Sequence, residues 1–204
     1  MFKVRKVVLF ILLLMTAFTF YGCNKKIGKI KNISLPEFLK SMKSYEANVT
    51  ITFLAEGQEN VMEMYQKVEI GGKYHLKIEA PPHLKGYILY FDGEKIKEYN
   101  PNSQTETLAK ASNARNETML SSFLERYEKM SEIQTSKSTL EGKEVLVIEM
   151  EIPGNYKYLA KQNIYFMEET FKPIRMEILD VEGKKSIQVD YKDFKYNPEI
   201  KWDI

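Results

Sequence analysis

The residues that could do chemistry in this 204-residue chain are few, and their spacing is poor for it. His75 and His83 lie eight apart on either side of Pro81-Pro82, with no cysteine near them. Zinc sites need three or four ligands at short, regular spacings, and none occurs here. Both histidines are expected as solvent-facing positions on a strand and a loop. Glu149 with Glu151, and Glu168 with Glu169, are the available carboxylate pairs, the residue type that glycoside hydrolysis requires. In a chain with 28 acidic residues they read as solvated strand and turn positions. No G-x-S-x-G, H-E-x-x-H, S-x-x-K or phosphate-cradling glycine loop is present. The expectation is a protein without catalytic residues, metal or cofactor.

Cys23 is the only cysteine, so the chain forms no internal disulfide. Its context is more telling. Lys3, Arg5 and Lys6 precede an uncharged run from Val7 to Phe20, short of the ~20 residues a membrane-spanning helix needs and typical of a signal-peptide core. The run ends in Phe20-Tyr21-Gly22-Cys23, which resembles a lipobox, with Phe20 and Tyr21 bulkier than its usual residues. An uncleaved anchor or a cleaved, unlipidated leader would share this run. The position of the single cysteine favours lipidation. Residues 1–22 are thus expected to be a lipoprotein signal peptide and 23–33 a tether lipidated (palmitate and diacylglyceryl) at Cys23. Residues 34–204 form the domain, held at the outer leaflet of the cell membrane. Lys25, Lys26, Lys29 and Lys31 in the tether would each add up to ~1 kcal/mol of attraction to an anionic bilayer. Three of the 30 basic residues belong to the leader, so 27 face 28 acidic ones in the mature chain. That balance excludes the basic footprint of a nucleic-acid binder.

The elements follow from periodicity. Leu35, Phe38, Leu39 and Met42 share a helical face behind a Ser34 N-cap, predicting a helix over 35–44. From Glu46 the period becomes two: Ala47, Val49, Ile51 and Phe53 alternate with polar residues. Further strands are expected over 61–70, 74–80, 86–91, 96–99, 104–108, 143–152, 156–167, 174–179 and 184–194. Gly71-Gly72, Asp92-Gly93, Pro153-Gly154-Asn155 and Glu182-Gly183 supply turns between them. Met119, Leu120, Phe123, Leu124, Tyr127 and Met130 predict a second helix over 116–133. About ten strands in an antiparallel meander must curl, and the two helices can cover the concave side.

Three stretches carry a resemblance. They are Gly72 to Lys77 running to Pro81-Pro82, then Tyr90-Phe91-Asp92-Gly93 to Tyr99-Asn100-Pro101, and finally Asp180 to Gly183 followed by Val189 to Pro198. Their order and spacing over 45–200 resemble the LolA-like lipoprotein-carrier superfamily in its Gram-positive lipoprotein branch. The resemblance implies a mainly β fold, an open, strongly curved antiparallel half-barrel with a helical lid. In size, lipobox and style the chain is further similar to the clostridial spore-germination lipoproteins of the GerS type. Those are implied to work through a cell-wall N-acetylmuramoyl-alanine amidase that modifies the spore cortex, at a forespore or spore-envelope membrane.

Aromatic and methionine side chains offer the remaining functional signal, beside their ordinary role as core. Met62, Met64, Tyr87, Leu89, Phe91, Met119, Phe123, Tyr158 and Tyr165 are the candidates for a lipid cavity or partner surface. Two functions compete. One is a tethered module that binds and activates a cortex amidase. The other is a carrier or acceptor that shelters acyl chains in the half-barrel. Exposed strand edges also admit a homodimer. Replacing Cys23 by Ser is expected to abolish incorporation of labelled palmitate and to release the protein from the membrane fraction.

Overall fold

A computed structural model of the chain describes residues 33–55, 57–110, 116–130 and 133–202. The leader, Cys23 and most of the tether lie outside the described residues.

Helix α1 (Leu35–Ser41) opens on a capping box. The Glu37 amide donates to Ser34 Oγ (3.4 Å) and the Ser34 amide donates to Glu37 Oε2 (2.7 Å). It stops three residues before the expected end because Met42 is already extended. Asn197 then captures the chain. Its Oδ1 accepts from the amides of Lys43 (2.7 Å) and Ser44 (3.1 Å), and its Nδ2 donates to the Ser41 carbonyl (3.0 Å).

Among the described residues eleven strands follow, rather than about ten. They are β1 (Ser44–Ala55), β2 (Gln58–Glu69), β3 (Tyr74–Ala80), β4 (Ile88–Phe91), β5 (Lys95–Asn100), β6 (Thr105–Lys110), β7 (Thr135–Leu140), β8 (Lys143–Glu151), β9 (Lys161–Met167), β10 (Pro173–Leu179) and β11 (Lys185–Tyr196). The sheet order is β6-β5-β4-β3-β2-β1-β11-β10-β9-β8-β7, antiparallel throughout. The expected single meander is therefore two meanders, joined where β1 pairs with β11 from Tyr45↔Tyr196 to Phe53↔Ile187. β6 and β7 are the two free edges, so the sheet is an open half-barrel, as expected of the LolA-like architecture.

β7 reads Thr-Ser-Lys-Ser-Thr-Leu and escaped expectation because it has no apolar alternation. It is an exposed edge, where polar residues discourage pairing with another chain. Tyr156 to Ala160 forms a loop before β9, not its first turn of strand.

Helix α2 (Leu120–Tyr127) is shorter than its apolar stripe. Asn116 Oδ1 accepts from the amide (3.2 Å) and hydroxyl (2.6 Å) of Thr118, a local bond that competes with helix. Met130, beyond the helix, is 45% exposed. The segment carrying α2 has to pass from the β6 edge to the β7 edge, and α2 lies in the concavity between them. Leu120 and Phe123 are fully buried there with Ile148, Ile164, Phe166 and Met176, beside Leu35, Phe38 and Leu39 of α1. Phe123 packs on Phe166 at 6.3 Å, and Phe38 stacks on Tyr196 at 4.6 Å. One buried polar group pins α2 to the sheet. Arg126 donates to Glu117 (2.5 Å) and to Gln162, whose Nε2 donates to the Glu117 carbonyl (3.2 Å). Among the described residues no helix is long and apolar enough to cross a membrane.

The outer face is polar but not empty of structure. Glu149 and Glu151 both face Lys161 (3.2 and 3.7 Å), and Glu168 pairs with Lys137, so neither carboxylate pair converges on a site. Trp202, at the end of the tail beyond β11, reaches Tyr90 on β4 with ring centroids 6.1 Å apart. His75 is half-buried beside Tyr90, not exposed as expected, and its Nδ1 has no hydrogen-bond partner. His83 is exposed, as expected.

Truncating Phe123 to Ala should cost about 3–5 kcal/mol, read as a lowered denaturation midpoint with unchanged slope. Burial, with the nearby charges of Lys67 and Lys77, holds His75 below its ordinary value of 6.5. The unfolded chain therefore takes up this proton first as pH falls. The contribution is intact above pH 6.5 and is lost below it. His75→Gln should flatten that part of the stability profile, measured by thermal melts across the window.

Candidate functional site

The two halves of the concave face are covered unequally. Under α1 and α2, the inward residues of β8 to β11 and of β1 are sealed: Val49, Ile51, Ile148, Ile164, Phe166, Met176 and Val189 are at most 2% exposed. Across β2 to β5 the cover thins. Met64, Leu76 and Ile78 are still buried, but Met62, Tyr74, Tyr87 and Leu89, with Phe53 near the far end of β1, are only partly so. Phe91 and Ile96, opposite one another on β4 and β5, are half-buried as well.

Period-two alternation and register build this strip. Ile51 sits across from Met62, Val49 from Met64, Met64 from Ile78, Leu76 from Leu89, and Tyr74 from Phe91. All point inward because Val49 and Ile51 do. The Tyr74 and Phe91 rings lie 5.2 Å apart. Just before β4, the Tyr87 hydroxyl donates to Glu98 Oε2 (3.0 Å) on β5. That bond, with some burial and the Glu98 charge, raises the Tyr87 pKa and keeps the phenol neutral. The result is a ribbon of rings, thioethers and branched chains, rimmed by one fixed carboxylate. It has the make-up of a surface that binds by burying area, with no reactive group within it.

Of the nine candidate residues, Met62, Met64, Tyr87, Leu89 and Phe91 come together on this strip. Met119 and Phe123, at 2% and 0% exposure, are core residues at and within α2. Tyr158 stands in the loop between β8 and β9, 46% exposed, with Lys157 5.0 Å over its ring. Tyr165 is on the outer face, its hydroxyl donating to Glu177 (2.9 Å). Burial, with that bond, pushes it up to about 12. Phe53, Tyr74 and Ile96 belong to the strip and were not among the candidates. Their strand alternation was the available signal, since each is an inward position of a strand whose neighbours were chosen.

The sequence matches, over residues 3–204, the family described as sporulation protein YdcC-like. No curated protein is matched by sequence. Among solved structures, a chain in the structure of the CwlD amidase from Clostridioides difficile in complex with the GerS lipoprotein is similar. It is 28% identical with a TM-score of 0.52, and the alignment covers 78% of this chain and 89% of that one. An uncharacterized conserved protein from Thermus thermophilus shares the fold at 11% identity and a TM-score of 0.51, over 77% of this chain and 80% of that one. A LolA superfamily protein from Nitrosomonas europaea aligns at 13% identity and a TM-score of 0.40, over 80% and 90% of the two chains. With a match spanning nearly its whole length, the chain belongs to the YdcC-like sporulation protein family.

Proposed function

We propose that this protein is a lipid-anchored, non-enzymatic accessory protein of sporulation that binds a cell-wall amidase and activates it for cortex modification. Lipid at Cys23 would hold the domain at the outer leaflet of the forespore or spore-envelope membrane. The strip across β2 to β5 would meet the amidase. The observation that carries the reading is the likeness to the amidase–lipoprotein complex, over 89% of the matched chain, in a member of a sporulation family. Because this sequence carries a lipobox-like Phe20-Tyr21-Gly22-Cys23, it corresponds to the lipoprotein of that pair.

The packing supports a binder over an acyl-chain carrier. A carrier needs an apolar hollow inside the curve, yet Leu120 and Phe123 of α2 fill it against Ile164 and Phe166, all fully buried. Tyr74, Tyr87, Leu89 and Phe91 instead offer a partly open apolar surface beside the sealed core, the composition expected of a docking patch.

Affinity purification of the anchored protein from sporulating cells, read for proteins and lipids together, tests this. It should recover an N-acetylmuramoyl-alanine amidase and no stoichiometric lipid. Leu89→Asp, with its melting temperature checked, should weaken amidase retention at least tenfold, as expected for a central apolar contact. Recovery of bound lipid without an amidase would overturn the reading.

A further inference from the structure

We propose that the outer face of β3 to β6 carries a second site, one that takes an N-acetylated amino sugar residue of a glycan strand. Register places two rows of side chains side by side on that face. One runs His75, Tyr90, Lys97, Leu108. The other runs Lys77, Ile88, Tyr99, Glu106. Between them lies a groove of about 280 Å³, lined by His75, Ile88, Tyr90, Lys97, Tyr99 and Glu106, and by Glu98, whose carboxylate is held by Tyr87 on the inner face.

The chemistry of the lining selects the ligand. Tyr90, Tyr99 and Ile88 give apolar walls, and the C–H face of a pyranose ring is the apolar, flat-sided group that packs on tyrosine. Leu108, 60% exposed, prolongs that floor to the sheet edge. The polar groups are of mixed kind: one lysine, one carboxylate and one imidazole. A phosphate or polyanion would meet Glu106, and a polycation would meet Lys97, whereas hydroxyl and acetamido groups are satisfied by all three. His75 is half-buried at one end of the groove, opposite Tyr90. The groove lies at the lower edge of the ~300–1,000 Å³ of ligand pockets, so it holds one ring while its open mouth lets a strand continue.

The site is on the face opposite the proposed amidase surface. A tethered protein of a sporulation family could then hold the glycan on one side and the hydrolase on the other. The proposal draws on the family membership and is independent of amidase docking.

Trp202 is the only tryptophan and touches Tyr90, so its emission reports on the groove. Titrating the full chain in detergent with tetra-N-acetylchitotetraose should give a saturable change in Trp202 fluorescence. Cellotetraose, which offers the pyranose faces and hydroxyls but lacks the acetamido groups, should saturate only at higher concentration. Peptide-stripped cortex glycan should cosediment the protein. Tyr99→Ala and Lys97→Met should each weaken both signals at least tenfold, with melts showing that they fold, while Tyr156→Ala, remote in the loop between β8 and β9, leaves them unchanged. Amidase retention by Tyr99→Ala separates this proposal from the preceding one. Absence of saturation and of cosedimentation, an equal response to Tyr156→Ala and Tyr99→Ala, or a response to aromatic tripeptides but not to the sugar would overturn it.

Discussion

The pairing of β1 with β11 holds the two meanders in one sheet. It brings residues about 150 apart in sequence into direct register, from Tyr45↔Tyr196 onward, and it places the middle of the sheet where the chain enters and leaves the domain. The two edges are then β6 and β7, and the segment between them has to cross the concavity. Geometry thus forces a strap across the inner face, and the strap's apolar stripe is what fills it. Each fully buried leucine or phenylalanine there contributes roughly 1.5–3 kcal/mol from removal of its surface from water. Asn197 secures the same junction, tying the end of β11 to the α1–β1 corner through its amide side chain.

Unequal cover follows from this arrangement. Both helices pack over β1 and the β8 to β11 half, where aromatic and branched side chains interlock without exposed area. β2 to β5 receive less, so the inward alternation there ends in half-open rings instead of closed core. The outer face of the same strands carries Tyr90, Ile88 and Tyr99 as a second apolar floor, partly roofed by Trp202. One run of short strands is therefore amphiphilic on both sides, whereas the outer face of β9 to β11 is occupied by Arg175–Asp190, Lys185–Glu177 and Tyr165–Glu177 contacts.

Much of this was legible in the sequence. Strand alternation in 46–54 and 74–80, the N-cap at Ser34 and the turns at Asp92-Gly93 and Glu182-Gly183 were each local signals. Asp92 and Asp180 indeed accept the amides that close their hairpins. What stayed hidden was non-local. β7 has no apolar face because its outer edge meets water. The end of α1 is decided by Asn197, more than 150 residues away. Met119 and Phe123 were candidates for a cavity or partner surface because a helical stripe does not say whether it faces a ligand, a partner or its own sheet. Tyr165 alternates correctly but toward solvent, since its strand's inward set is Gln162, Ile164 and Phe166. His75 looked exposed because its burial comes from neighbours on β4, a cross-strand effect that no spacing announces.

The central position of β11 carries a consequence for biogenesis. The chain is made amino end first, so β1 and β2 can form their hairpin at once. The other side of β1 stays bare until β11, more than 130 residues further on, has been made. Long-range closure of this kind is slow relative to local pairing. Until then the hairpin displays an unpaired row of backbone N–H and C=O groups, a template on which another chain can pair.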